Sequence, residues 1–402
     1  MRIELLIVLL VFAPAGVRGA DWTGFRGPET TSVALRSTLP TTLTEQSVVW
    51  KSALPGRGLS GPTIVGDRIY LTACTGEEQD RLHVLCLDAR DGKLLWQRQT
   101  WATGRTMCHK SMSVATPQIA SDGQRIFAFF SSNDLACYDQ DGRLQWFRGL
   151  THDYPNASNS LGMASSPLVV GKILIVQVES DSESFTVGLD VETGINRWKI
   201  PRPQVSNWTS PVLYRGSQPG SDLVLLQSSE DLVAIEPATG KIAWKFGGGC
   251  STIPTATVDA GTIFIPSNGL TAYRPGRAGD KGTTLWSSAK LGPATASPVV
   301  AQNRIFVLGK TGILTCGRAD SGATLWQSRL EGRISSTPVF AGEHLYVFNE
   351  NGTLFVVHPN DQEGKVVSRF ELKEPILATP AVANNALYIR SDAHLWKFAA
   401  TR

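Results

Sequence analysis

Side chains that could bind a ligand gather in connections between apolar segments. Three of these connections carry cationic, imidazole, amide and aromatic groups. They hold Arg105, His109 and Lys110 in 105–111, His152 and Asn159 in 151–160, and Trp208 in 204–209. Corresponding connections add Arg57, Lys310 and Arg333. Polar groups beside an aromatic wall are typical of a binding pocket. The alternative is that these connections are solvated and bind nothing.

The cysteine and histidine spacings argue against a haem or metal site. No Cys-x-x-Cys, vicinal Cys pair or His-x-His occurs. Cys86, Cys137 and Cys316 share one small-residue position of a repeated strand, which predicts buried thiols. Cys74, Cys108 and Cys250 lie near strand ends or loops, where one disulfide among them remains open. The acidic runs 77–80 and 179–183 lack the glycine-containing ligand pattern of a calcium loop and are interpreted as solvated hairpin tips.

Composition limits the class of protein. The 402 residues carry a net charge of +3, and only 18% of them are charged. No block of five like charges occurs, so we expect no nucleic-acid partner. The 38 glycines and 22 prolines predict many turns between short strands. We expect a monomer.

The N-terminus has the pattern of an export signal. Leu5–Val17 is an apolar run that is too short to span a bilayer, and small residues follow it. We assign residues 1–19 to a signal peptide and 20–45 to an N-terminal extension, although a buried strand or helix would also suit the run. No later segment is apolar over 18 residues, which predicts no transmembrane segment and a periplasmic or secreted protein.

Two signals repeat in step along most of the chain. A proline preceded by small residues recurs every 40–55 residues, at positions 62, 117, 167, 211, 254, 298, 338 and 380. A tryptophan recurs with a similar period, at positions 50, 96, 146, 198, 244, 286 and 326, and Phe370 stands where the next one would fall. Two signals with one period indicate an array of similar units.

Each unit is expected to contain four strands. In the first, alternating apolar residues predict strands over 62–65, 68–73, 82–88 and 93–97, with a glycine in the turn between the last two. Eight prolines predict an all-β, eight-bladed propeller of four-stranded antiparallel blades over 46–402. The eighth unit ends before its fourth strand, and 48–51 could supply that strand and close the ring. Seven blades and a degenerate eighth are the main alternative. The repeated tryptophans should pack between adjacent blades and donate to turns.

The unit resembles the pyrroloquinoline-quinone-type propeller repeat. The resemblance rests on four motifs: Ser-x-Pro, Gly-Asp-Arg-Ile-Tyr at 66–70, Leu-x-Leu-Asp at 85–88 and Thr-Gly-x-x-x-Trp at 193–198. Together with the opening 21–28, the chain is similar to exported planctomycete propellers and to the propeller lipoprotein of outer-membrane assembly. Quinoprotein dehydrogenases of this superfamily use the quinone with calcium, a Glu/Asn/Asp ligand set, an Asp base and a stacking tryptophan. Here Trp208 could stack, and Asp153 or Asn159 could ligate.

Three functions follow from this pattern. The first is an exported, non-catalytic scaffold that holds a protein, peptide or glycan over the ring face, with no cofactor. The second is a dehydrogenase that uses pyrroloquinoline quinone with calcium. The third is an assembly factor for outer-membrane proteins. We favour the first, because no recognisable catalytic set is present.

Overall fold

The propeller prediction is confirmed. A computed structural model describes residues 21–158, 161–276 and 281–400, and within these ranges the strands form a ring of eight blades, each with four antiparallel strands. Helix is limited there to a 3-10 turn over Glu45–Ser47 and to α1 (Leu150–Asp153). The signal peptide assigned to 1–19 lies outside the described residues, as does Asn159.

Two strands that precede the first blade in the sequence pair with strands of blades 7 and 8. They are β1 (Val33–Ala34) and β2 (Val48–Ala53). The first four blades follow in chain order, each from its inner to its outer strand. Blade 1 is β3 (Thr63–Val65), β4 (Arg68–Thr75), β5 (Arg81–Asp88) and β6 (Leu94–Trp101). Blade 2 is β7 (Ala120–Ser121), β8 (Arg125–Phe129), β9 (Asp134–Asp139) and β10 (Leu144–Gly149). Blade 3 is β11 (Leu168–Val170), β12 (Ile173–Val178), β13 (Phe185–Asp190) and β14 (Asn196–Pro201). Blade 4 is β15 (Val212–Tyr214), β16 (Leu223–Gln227), β17 (Leu232–Ile235) and β18 (Ile242–Phe246).

The second half of the ring repeats this order. Blade 5 is β19 (Thr257–Asp259), β20 (Thr262–Ser267), β21 (Gly269–Arg274) and β22 (Thr283–Ser288). Blade 6 is β23 (Val299–Ala301), β24 (Arg304–Leu308), β25 (Ile313–Arg318) and β26 (Thr324–Arg329). Blade 7 is β27 (Val339–Ala341), β28 (His344–Phe348), β29 (Thr353–Pro359) and β30 (Gly364–Glu371). Blade 8 is β31 (Ala381–Ala383), β32 (Ala386–Arg390) and β33 (His394–Ala399).

The N-terminal strand closes the ring, as expected. β2 pairs antiparallel with β33 and becomes the outer strand of blade 8. β1 pairs in parallel with β27 beside the inner strand of blade 7. Inner strands of adjacent blades lie beside one another around the centre, and β3 lies beside β31, so the first and last blades are neighbours.

The repeated tryptophans pack between blades. The Trp96 indole N–H donates to the Gln140 carbonyl of the next blade at 2.8 Å. Its ring lies against Gly142, where a Cβ would stand 2.7 Å from the indole and φ is +77°. Glycine is therefore required there by both space and backbone angle. The same indole-to-turn bond is made by Trp50, Trp146, Trp198, Trp286 and Trp326.

A ring of hydroxyl groups joins the blades at the centre. The members of this hydroxyl ring lie two residues before the inner strands of blades 3 to 8. They are Ser166, Ser210, Thr255, Ser297, Thr337 and Thr379. Each hydroxyl accepts a hydrogen bond from the backbone N–H at the matching position of the preceding blade, over 2.9–3.3 Å. Six successive junctions are thus made by one repeated contact.

Blade 1 has no such hydroxyl, because Gly61 occupies the matching position. A Cβ there would lie 2.4 Å from the Thr379 carbonyl oxygen and 2.6 Å from the side chain of Gln118. Two longer side chains join this blade to its neighbours instead. Gln118 donates to the Pro62 carbonyl at 2.9 Å. The buried Arg390 donates from blade 8 to Ser60 and to the Thr72 carbonyl at 2.6 Å.

We predict that Thr337→Val destabilises the fold by about 1–3 kcal/mol. The substitution keeps the side-chain volume but leaves the buried Ser297 N–H without its acceptor. Thr284→Val on the exposed outer strand of blade 5 is the matched control and should change the free energy of unfolding little. Denaturant titration followed by tryptophan fluorescence measures both. Equal effects in the two variants would contradict the role given to the ring.

A second prediction concerns the closure of blade 8. Glu374 accepts from Lys51 on β2 at 2.6 Å and from His394 on β33 at 2.8 Å. Burial favours its neutral form, but the bonds from Lys51, Ser391 and His394 outweigh burial and lower the pKa of Glu374. Its contribution to stability is therefore present above the pKa of an unfolded glutamate and is lost as pH falls through the lower folded pKa.

Glu374→Gln should accordingly destabilise the protein more at pH 7 than at pH 3. The measurement is the free energy of unfolding of wild type and variant across this range. Glu363→Gln, at an exposed turn, is the control. A difference between wild type and Glu374→Gln that does not change with pH would refute the prediction.

Candidate functional site

A cavity of about 500 Å³ lies on the axis of the ring. The hydroxyl ring surrounds it. Much of the remaining wall is apolar, from side chains in the connections that lead into the inner strands. These are Leu59, Met112, Leu161, Trp208, Ile253 and Leu377, with Phe25 from the N-terminal extension. The volume falls within the range of ordinary ligand pockets.

The N-terminal extension crosses the centre of the ring. Trp22 pairs with Ile64 of blade 1, and the Thr23 carbonyl accepts from Ser121 of blade 2. Further on, the Ser32 carbonyl accepts from the N–H of Phe340 in blade 7. The segment therefore touches blades on different sides of the axis and places Phe25 in the cavity wall.

Arg26 anchors the middle of this segment. Its side chain is buried and donates to the carbonyls of Ala256 at 2.8 Å and Pro298 at 3.3 Å, which belong to blades 5 and 6. Burial lowers the pKa of the Arg26 guanidinium, because the charged form loses its hydration. Since blades 1 and 5 lie on opposite sides of an eight-bladed ring, residues 22–26 span the channel.

At the opposite end of the cavity, the connections that lead into the inner strands are hydrogen-bonded to one another. The N–H of His109 donates to the Leu161 carbonyl at 3.0 Å, which joins the connections before blades 2 and 3. The Trp208 indole donates to the Gly162 carbonyl at 2.8 Å, and its backbone N–H donates to Thr252. Connections before four successive blades are therefore linked around Trp208.

The structure brings together only part of the predicted binding set. His109, Lys110, Trp208 and Arg333 line the cavity. Arg57 lies beside it and donates to the Lys110 carbonyl at 2.8 Å. Arg105, His152 and Lys310 are exposed and are not among the cavity-lining residues. The sequence predicts polar groups beside the aromatic wall of Trp208, and the structure adds aliphatic side chains from the connections and Phe25 to that wall.

Some polar groups of the cavity wall already have hydrogen-bond or ion-pair partners, whereas others have donors that are unused. Arg333 lies 3.1 Å from Glu350, which also accepts from Ser335. His109 contacts the hydroxyl of Ser111 at 2.7 Å. Within the described residues, the six members of the hydroxyl ring accept hydrogen bonds but donate none. Their O–H groups are available to water or to a ligand.

All six cysteines are free thiols, so the disulfide left open among Cys74, Cys108 and Cys250 does not form in this structure. The prediction of buried thiols at Cys86, Cys137 and Cys316 is confirmed. Burial raises the pKa of these three thiols, and of Cys250, to about 12. They remain protonated at neutral pH and are poor nucleophiles.

Acidic groups near the cavity are already engaged. Glu179, at the start of the acidic run 179–183, is fully buried and accepts from Arg202 at 2.6 Å and from Asn207 at 2.7 Å.

Across residues 21–158, 161–276 and 281–400, no three His, Cys, Asp or Glu side chains are grouped so that they could hold a metal ion. In the same ranges no helix is long and apolar enough to cross a membrane.

Comparisons with known proteins agree on the architecture. A family model described as outer membrane protein assembly factor BamB matches residues 41–246 and 269–361. The chain is similar to the crystal structure of BamB from Moraxella catarrhalis, at 18% identity and a TM-score of 0.65, over 88% of this chain and 98% of that one. No curated protein matches significantly.

Two solved enzymes also share the fold. A europium-containing methanol dehydrogenase is 13% identical with a TM-score of 0.70, over 95% of this chain and 98% of that one. A quinohemoprotein alcohol dehydrogenase from Comamonas testosteroni is 11% identical with a TM-score of 0.72, over 95% of this chain and 81% of that one. At these identities the likeness concerns the fold alone.

We predict that Trp208→Phe loosens the mouth of the cavity without unfolding the ring. Phenylalanine keeps an aromatic ring but cannot donate to the Gly162 carbonyl. The lost bond should cost about 1 kcal/mol locally. Hydrogen–deuterium exchange of 108–112 and 161–163 should become faster, whereas Trp101→Phe on the exposed outer strand of blade 1 should leave it unchanged. Unchanged exchange in Trp208→Phe would show that this bond does not hold the connections.

Proposed function

Because the chain belongs to the family of the outer membrane protein assembly factor BamB, we propose that it is an exported, non-catalytic binding propeller that holds a polypeptide at the mouth of its central cavity. The observation that carries this proposal is the cavity itself. It is lined by apolar side chains and hydroxyl groups, and one segment of the chain crosses it. Exposed apolar side chains around a concavity are typical of protein interaction sites.

The chemistry of the wall favours a polypeptide. Leu161 and Ile253 are 44% and 46% exposed, which is a large exposure for aliphatic side chains that frame a cavity. Apolar side chains of a partner would cover them, and Trp208 would offer a rigid aromatic surface. The free O–H groups of the hydroxyl ring are suited to donate to backbone carbonyls of an inserted segment.

A quinoprotein dehydrogenase is the second candidate, since two solved enzymes share the fold. Calcium prefers six to eight oxygen ligands that include carboxylates. Among the described residues, the cavity wall offers one carboxylate, Glu350, which is paired with Arg333, while Glu179 is held by Arg202. These residues do not match the donor set that a calcium-bound quinone requires. We therefore propose that no such cofactor takes part.

An assembly role for outer-membrane proteins is a narrower form of the binding proposal. The family model names such a role, and it would make the partner either an assembly component or an unfolded client protein. Both would present polypeptide to the mouth. A glycan would need more hydrogen-bonding groups than this largely apolar wall offers. Glycan binding is therefore one of the results that the experiment below distinguishes.

We predict that the mature protein binds apolar, extended peptides. Isothermal titration with apolar peptides, matched polar peptides and oligosaccharides measures this directly. Trp208→Ala and Ile253→Asp should weaken peptide binding about tenfold or more, because each removes apolar contact area at the mouth. Trp101→Ala, on the outer strand of blade 1, is the control and should bind as wild type does.

Three results would contradict the proposal. Peptide binding that is insensitive to Trp208 and Ile253 would place the site elsewhere. Binding of oligosaccharides alone would change the partner class. Oxidation of alcohols in a dye-linked assay with added pyrroloquinoline quinone and calcium would make the protein an enzyme.

A further inference from the structure

Two histidines face each other on blade 7, away from the central cavity. His344 begins β28 and His358 lies near the end of β29. Because Leu345 pairs with Val357, the two histidines are the next cross-strand pair, and their side chains leave the same face of the sheet. Their ring centroids are 4.9 Å apart and their planes are inclined by 46°.

Neither imidazole has a hydrogen-bond partner among the described residues, and the Nδ1 atom of His358 is buried. Three other histidines are bonded: His83 to Thr75 and Gln97, His109 to Ser111, and His394 to Glu374. A buried polar atom without a partner costs free energy, and such atoms are rare in folded proteins. Among the described residues, the buried Nδ1 atom of His358 therefore has no group that satisfies it.

Two charged side chains of opposite sign lie near the pair. On the neighbouring strands, Ala341 stands opposite His344 and the exposed Lys365 stands opposite His358. The carboxylate of Glu343 is exposed and close enough to His344 to interact with it electrostatically. One flexible lysine and one flexible carboxylate thus flank the two rings.

We propose that His344 and His358 form a binding site for a divalent transition-metal ion, with Zn²⁺ as the reference ion. Neutral imidazole nitrogen is a preferred ligand of zinc, copper and nickel. Two zinc–nitrogen bonds of about 2.0–2.1 Å bring the ligating atoms to about 3–4 Å from each other. Rings whose centroids are 4.9 Å apart reach this spacing by small side-chain rotations. Water would complete the coordination.

The site would act as a cross-link between β28 and β29. Because an ion that binds only the folded state stabilises it, metal should raise the melting temperature, and a chelator should reverse the rise. With two protein ligands, the affinity should be lower than that of a four-ligand structural zinc site. This inference does not depend on the proposed function, since neither histidine lines the cavity.

The test is isothermal titration of chelator-treated, tag-free protein with Zn²⁺ alone. Wild type should bind one ion per chain, and His344→Gln and His358→Gln should each weaken binding about tenfold or more, since either removes one of two ligands. His152→Gln, at an exposed position, is the matched control and should bind as wild type does. Denaturant titration without metal checks that each variant is folded.

A second readout distinguishes chelation from nonspecific binding. In proton NMR, Zn²⁺ should shift the imidazole resonances of both His344 and His358 together and leave those of His83 unchanged, because His83 is already bonded. Equal zinc affinity in wild type and both variants, or no zinc uptake by wild type, would overturn the proposal.

Discussion

The ring depends on how each blade is joined to the next at its centre. Neighbouring blades are separate sheets, so no continuous ladder of backbone hydrogen bonds runs around the axis. At six junctions the hydroxyl ring supplies a local substitute, in which one backbone N–H of each of blades 2 to 7 donates to a serine or threonine hydroxyl of the next blade. This contact fixes the position of successive inner strands along the axis of the ring. The cavity, its mouth and the crossing segment all take their positions from that alignment.

The fold could be predicted because its signals are periodic. Tryptophan and turn glycine recur in step, since each indole packs on the turn of the following blade. The serine or threonine of the hydroxyl ring also left a signal beside the repeated proline. In the sequence that signal indicates only where strands begin, because spacing along one chain does not show a contact across the blade junction.

The site was less predictable because it lies in segments that do not repeat. Phe25 and Arg26 belong to the N-terminal extension, and nothing in their spacing indicates that they cross the channel. The sequence predicts Arg105, His152 and Lys310 at the site because they lie in connections on one face. Such connections also extend outward, and these side chains reach solvent instead. Loop direction depends on tertiary contacts such as that of Trp208 with Gly162.

The pairing of β2 with β33 has a consequence for how the chain reaches its final form. Trp50 pairs with Lys397, so β2 is synthesised long before its partner strand β33. Arg26 likewise finds its acceptors 230 and 272 residues downstream. Such distant contacts make the conformational search slow, because loop entropy is lost before the contacts form. The early strand is unpaired meanwhile, and the interval before closure is when the chain is most exposed to aggregation and to proteases.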